Sequence, residues 1–468
     1  MESKTGAETP VAPENPSSDV VRLVLFASML IAAATLITLI ALGTGARSFT
    51  VFDIPDLQGL QMKNWVTGRG FGFDGALFTG SDDPIWMRYA RMPLPIWTIA
   101  CLRIVFGSGM IAVNVAKSVL WSLPLILSFA LIQRDCRTCL SIRAKWAVWG
   151  SLLFVSLLPV VLVNLATMSA EEGYITSPIA LATTMLLFPR SWMSGARNGR
   201  VIFPGLLFGI LMASIYLSKS SMIVVAFVMV IALGVVSRNV VSRNVCLAVS
   251  AAIPLVLAVL CWGAWTAADA GRISIGTSLD GYNLHKGNNP TFLEHYPPPF
   301  NMNIDPFYAD IAVGHHYKSE SDFNAGQEKE AVQYMETHPR ATIIAMGRKI
   351  GVLLFSLKKV GPGTIRSPMV EWTERASRVI AQLVLWTALL VAAWQCVRWK
   401  PSSLTAAAFL LVTAAICLPY VAGFALSRHG SILYLPAIIY IIRSVYAGQE
   451  DKGPSPMSSE QVESIHSS

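Results

Sequence analysis

Uncharged stretches long enough to cross a lipid bilayer recur along this chain, and that recurrence limits its architecture more than any other feature. They occupy 23–45, 146–170, 173–189, 201–218, 220–237, 245–268, 379–397 and 401–427. Residues 112–133 join them with one interruption, Lys117, and 429–442 is a shorter run between Arg428 and Arg443. A bilayer core takes ~20 apolar residues of helix, and backbone polar groups in lipid must bond within their own segment. The pattern therefore predicts an all-α polytopic membrane protein of about ten transmembrane helices, ten to twelve if short runs also cross. The strand alternation of a membrane barrel is absent. Only 14% of the residues are charged, against about 25% in soluble domains.

The net charge of +8 does not point to nucleic acid, because the cations are gathered in short loops. Arg134, Arg137, Arg143 and Lys145 share one; Arg190, Arg197 and Arg200 another; Arg238 and Arg243 a third; Arg398 and Lys400 a fourth. Short loops rich in Lys and Arg stay in the cytoplasm, and ten spans put all four on one side with both termini. The expected organisation is a disordered cytoplasmic N-terminus (1–20), one transmembrane unit (21–448) and a disordered cytoplasmic tail (449–468). Two long segments, about 46–111 and 269–376, then face outward. Within them, 93–107 and 341–357 are apolar but short and carry Arg103, Arg348 and Lys349, as interfacial helices do. The polar, Pro-rich start makes the first span an uncleaved anchor instead of a signal peptide. The seven cysteines are scattered; Cys136 and Cys139 form a C-x-x-C without the second pair that a zinc site needs. His315 and His316 are adjacent, which suits solvated histidines better than convergent ligands.

Several stretches, taken in order, resemble the C-type glycosyltransferases (GT-C), near the bacterial protein O-mannosyltransferases and the lipid A aminoarabinose or galacturonic acid transferases. "DIPDLQGLQMKNWVTGRGFGF" follows the first span, and "MRYARMPLPIWTIACLRIVFG" is similar to the family's R-x-P helix. "ATMSAEEGYITSPIALATTMLLF" places acids at the second outer turn. "LMASIYLSKSSMIVV" resembles a segment that usually reads LTRP; here the arginine is Lys219 and the proline Ser220. "SIGTSLDGYNLHKGNNP", "EAVQYMETHPRATIIAMGRKIGVLLF" and "SRHGSILYLP" complete the order. The resemblance implies an integral enzyme of the bacterial plasma membrane. It would move a sugar from a polyprenyl-phosphate donor to a hydroxyl of a lipid or glycan acceptor at the outer face, with inversion, in cell-envelope modification. No cofactor is implied with certainty; a divalent metal is compatible with the acids.

Such a reaction needs a base for the acceptor hydroxyl and cations for the departing phosphate. Asp53, with Asp56 one helical turn on, is the base that the resemblance implies. Asp53 is equally a good N-cap for a helix beginning near Pro55, and one residue can do both. Glu171 and Glu172, at a membrane face between two apolar runs, are further catalytic candidates, for orienting substrate or binding a metal, or else solvated loop acids. Lys219, Arg428 and Lys349 are candidates for the donor phosphate, or snorkelling cations at helix ends. Tyr282, Asn283 and Asn288 supply a turn with phenol and amide groups suited to a hydroxyl-rich acceptor or sugar. A transporter or flippase would instead place ionisable groups near mid-span, where Lys117 is the main exception. An O-antigen polymerase or ligase would lack the acid directly after the first span.

Overall fold

The computed structural model describes residues 16–43, 57–76, 85–107, 110–136, 140–166, 171–193, 201–236, 241–295, 315–355, 368–398 and 403–450. Asp53 and Asp56, and Cys139 of the C-x-x-C, lie outside them. Helix α1 spans Pro16–Gly43 and α2 Leu57–Val66; Phe73–Asp74 (β1) pairs antiparallel with Trp86–Met87 (β2). Next come α3 (Pro93–Phe106), α4 (Met110–Asp135), α5 (Ile142–Ser156), α6 (Pro159–Ala166), α7 (Glu172–Leu187) and α8 (Pro189–Met193). They are followed by α9 (Ile202–Ser218), α10 (Ile223–Val236) and α11 (Val241–Ala270). The outer segment contributes α12 (Asp280–Gly287), α13 (Phe292–His295), α14 (Glu320–Thr337) and α15 (Pro339–Phe355). The chain closes with α16 (Pro368–Val397), α17 (Ser403–Ala422) and α18 (Tyr434–Glu450). Single 3-10 turns, Ser220–Met222 and Ser427–Leu433, precede α10 and α18.

Six helices among the described residues are long and apolar enough to cross a membrane: Ser18–Ile40, Ile111–Asp135, Asn244–Ala270, Arg375–Val397, Ser403–Ala422 and Arg428–Ala447. Their outer faces carry exposed large apolar side chains, including Leu36 and Ile40 of α1, Leu257 and Leu260 of α11, and Leu390 and Trp394 of α16. In water such belts would be aggregation surfaces; against acyl chains they are solvated. The other expected runs form shorter helices: α7 has 16 residues, α9 has 17 and α10 has 14. At 1.5 Å per residue, 16 residues reach only about 24 Å.

The run 146–170 is broken in two, and the reason is Pro159 at the first position of α6. Proline has no N–H to donate and pushes the preceding residue out of the helical region. The N–H of Val160, left without a helical partner, donates to Ser377 Oγ of α16 at 3.1 Å. Two further boundaries differ from expectation. Helix α1 already begins at Pro16, inside the stretch expected to be disordered, and Asp19 there bonds Arg22 at 2.6 Å and Gln133 at 3.1 Å. Helix α18 likewise continues to Glu450.

Close packing inside the bundle relies on small residues. A Cβ at Gly205 or Gly209 of α9 would overlap Ser250 Oγ or the carbonyl oxygen of Ala251 on α11. This is the small-xxx-small spacing that lets membrane helices approach backbone to backbone.

The two outer segments fold together. Phe73, Ile85, Met87 and Ala90 from the first share a small core with Leu279, Tyr317 and Phe323 from the second. They cap one end of the bundle. The start of α1 and the ends of α4 and α18 meet at the opposite end, where Tyr446 donates to the Asp135 carbonyl at 3.1 Å and Gln133 reaches Asp19.

Candidate functional site

Five elements end under the outer cap: the first turn of α7, the α9–α10 junction, the turn before α12, the end of α17 and the 3-10 turn leading into α18. Together they enclose a cavity of about 800 Å³. Helix ends are where such a site is expected, since charge is tolerated there at less cost than at mid-span. Arg91, Lys219, Lys286 and Arg428 bring cations to its lining, and Glu171, Asp280 and Glu328 bring carboxylates.

The expected acids and cations converge, but on each other. Lys219 Nζ lies 2.7 Å from Glu171 Oε2 and 3.3 Å from Glu172 Oε1. Arg91 reaches Glu171 at 3.2 Å. Arg428 lies 3.6 Å and His429 3.4 Å from Glu172. Tyr420 stacks on His429 with ring centres 4.1 Å apart, and its ring also faces Lys219 at 5.2 Å. Burial alone would push both glutamates up, yet Lys219, with Arg91 at Glu171 and Arg428 and His429 at Glu172, more than reverses it. Both carboxyls are held below their usual range. Neither is poised as a base near neutral pH. Glu171 lines the cavity; Glu172 sits behind it, its side chain 1% exposed.

Asp280 is the carboxylate of the lining with the opposite tendency. It accepts from Ser220 Oγ at 2.9 Å and from the Thr277 N–H and Oγ1, each at 2.8 Å. Burial outweighs these bonds and pushes it above the usual aspartate value. Ser220 is the residue that stands where the resemblance leads one to expect proline. Its hydroxyl ties the outer segment to the bundle beside Lys219, a bond proline could not make.

Lys286 projects from the last turn of α12 toward the rings of Phe424, at 4.7 Å, and Tyr282, at 5.9 Å. Burial, with Arg428 and Arg91 nearby, pushes it down to about 8. A Cβ at Gly287, the next residue, would overlap the Gly423 carbonyl oxygen at the end of α17. Tyr282 and Asn283 line the cavity. Asn288 is not among the lining residues; it is buried and donates to the carbonyls of Leu284 and Ala422 at 2.8 and 2.7 Å. Lys349 is also buried outside the lining, its Nζ 3.2 Å from Asn288 Oδ1 and 5.1 Å over the Phe292 ring. Lys117 lies near the outer end of α4, 4.6 Å over Tyr174. Among the described residues no three His, Cys, Asp or Glu side chains group to hold a metal ion.

Arg91, Asp280 and Lys286 were not singled out from sequence, although each lies inside a stretch quoted above. A run of residues shows that they are present; only the fold brings Arg91 to Glu171, or Asp280 to Ser220.

No family model matches the sequence, and no curated protein matches it. Among solved structures, the oligosaccharyltransferase AglB from Archaeoglobus fulgidus, in complex with an inhibitory peptide and a dolichol-phosphate, is similar over 96% of this chain. It shows 11% identity and a TM-score of 0.45, with 53% of its own length covered. ArnT from Cupriavidus metallidurans, bound to undecaprenyl phosphate, is similar over 95% of this chain and 82% of its own, with 12% identity and a TM-score of 0.37. The chain thus spans about half the length of the archaeal protein.

Proposed function

We propose that this protein is a membrane glycosyltransferase of the GT-C kind. It would take a sugar from a polyprenyl-phosphate donor and transfer it, at the outer face, to a hydroxyl of a lipid or glycan acceptor. The observation that carries this reading is the cluster of Arg91, Lys219, Lys286 and Arg428 around one cavity at the capped end of the bundle. Four cations at the end of a helical bundle suit an anionic headgroup whose tail stays in lipid. The basic loop Arg134–Lys145 belongs to the opposite end, which agrees with an outward-facing cavity.

In the proposed step, the acceptor O–H gives its proton to a carboxylate, and the acceptor oxygen bonds to the anomeric carbon from the face opposite the phosphate. The bond from that carbon to the phosphate oxygen breaks, and the lipid phosphate departs with the electron pair. Lys219, Arg428 and Arg91 stabilise the charge that develops there. Asp53 is proposed as the base and Asp56 as an orienting group. Glu171 holds Lys219 and Arg91 in place until the phosphate takes up their charge.

Purified protein offered a panel of polyprenyl-phosphate sugars should transfer at least one of them to an added glycan or lipid acceptor. Failure with the whole panel, while folded, would remove the reading. Arg428→Ala, at a side chain 39% exposed, and Lys219→Ala should each lower donor use by about 10- to 100-fold, the cost of a charge-assisted contact to phosphate. Lys219→Arg should keep part of the activity. Donor use unchanged in both alanine variants would reduce these cations to helix anchors.

Lys286 adds a pH dependence whose sign is fixed. A bound phosphate raises its value again, so binding takes up a proton. Affinity should therefore be full below about pH 8 and fall above it, by at most about tenfold per unit. Calorimetric titration of wild type and Lys286→Gln across pH 7–10 reads this directly, and the variant should lose that dependence.

A further inference from the structure

Glu320 opens α14, the helix that carries Asn324 and Glu328 to the cavity, and is itself not among the lining residues. Its buried carboxylate receives three donors from two other segments. The N–H groups of Arg88 and Tyr89 donate to it at 2.6 and 3.0 Å, and Ser278 Oγ donates to the same Oε1 as Tyr89. Two neighbouring bonds run in parallel: the Ser278 N–H donates to the Tyr89 carbonyl at 3.1 Å, and the Tyr89 phenol meets Ser321 Oγ at 2.9 Å. The segments so joined each carry a cavity residue within three positions: Arg91 after Arg88, and Asp280 after Ser278.

We propose that Glu320 is a positioning residue: its clasp across Arg88, Tyr89 and Ser278 sets where Arg91 and Asp280 stand in the cavity. The link to donor binding rests on the function proposed above; the clasp itself does not. Without it, the two strands of chain that meet over the bundle would keep one direct backbone bond, from the Ser278 N–H to the Tyr89 carbonyl, and their side-chain packing. Arg91 would then lose the fixed backbone from which it reaches Glu171.

The groups around Glu320 also make the clasp sensitive to pH. Asp269, at the end of α11, faces it and is partly neutralised by the Arg88 guanidinium at 3.0 Å; Arg272 lies near the Tyr89 phenol. Burial comes first and the three donors oppose it, leaving the carboxyl pushed up to about 7. A carboxyl that is raised when the clasp is closed, and ordinary when it is open and solvated, favours closure at low pH. The closing equilibrium should weaken about tenfold between pH 6 and pH 8.

The test is amide hydrogen exchange at Arg88 and Tyr89 in the full-length protein in lipid nanodiscs, corrected for the intrinsic pH dependence of exchange. Wild type should be about tenfold less protected at pH 8 than at pH 6. Glu320→Gln should show the same protection at both, because its side chain does not titrate. A tenfold change that persists in Glu320→Gln overturns the pH-sensitive clasp. Binding of an undecaprenyl phosphoryl-hexose, a phosphodiester that does not titrate in this range, tests the positioning. Glu320→Ala should weaken it about tenfold, and Asp322→Ala, on the same helix turn, should not. Unchanged binding in Glu320→Ala overturns the positioning role. If wild type itself binds no such lipid, the proposed function falls, and exchange at Arg88 and Tyr89 still decides the clasp.

Discussion

Glu172→Ala is expected to cost about 3 kcal/mol of stability, the lower end for breaking a buried ion pair, because it removes one of the two carboxylates paired with the buried Lys219. Its carboxylate stands between Lys219, His429 and Arg428 at 3.3–3.6 Å, with 1% of the side chain exposed. Native proteins have only about 5–15 kcal/mol in total, so less folded variant should be recovered. Glu172→Gln keeps the shape but not the charge and should fall between. A direct catalytic role would produce a different result: turnover lost with the unfolding temperature unchanged. Thermal unfolding of both variants, read beside activity, separates the two. The double variant Glu172→Met with Lys219→Met should regain part of the stability, since an apolar pair can replace a buried ion pair.

Asp53→Asn is expected to stop transfer while leaving membrane insertion and donor binding intact. Asparagine keeps the capping oxygen and the size of the side chain but cannot take the proton. Loss of a general base typically costs ~10²–10⁴-fold, well beyond the ~1 kcal/mol of a lost helix cap. Asp56→Asn should leave measurable activity, as an orienting group would. Turnover is compared at matched levels of folded protein. A dead Asp56→Asn beside an active Asp53→Asn would move the base by one helical turn. Full activity in both would leave these residues as caps, and Asp280, the cavity carboxylate raised by burial, would become the next proton acceptor to test.

The helical course of the chain could be read from its uncharged runs because lipid leaves the backbone one economical way to satisfy itself. The break at Pro159 was also present in the sequence, but a search for missing charge passes over a proline inside an apolar run. The candidate site was legible only in part. Glu171, Glu172, Lys219 and Arg428 were found by their position at helix ends, which is where the fold gathers them. Their pairing was not legible, because an ion pair between residues 171 and 219 leaves no local pattern. Asn288 looked like a sugar-binding amide and instead closes a turn against Ala422. Glu320 has no local pattern around it in the sequence that sets it apart from other acids. Its two backbone donors come from residues 88 and 89, more than 200 positions away.

Gly287 carries a consequence for engineering the cavity. The space between α12 and the end of α17 is narrower than one carbon atom, so the two bodies meet as a machined joint without clearance. A methyl group at 287 would act as a shim, lifting α12 and carrying the adjoining Lys286 away from Arg428 and Arg91. The charge that an incoming ligand meets is therefore set by a mechanical dimension as well as by the identity of the residues. Libraries that vary the lining of the cavity should leave this unlined position alone.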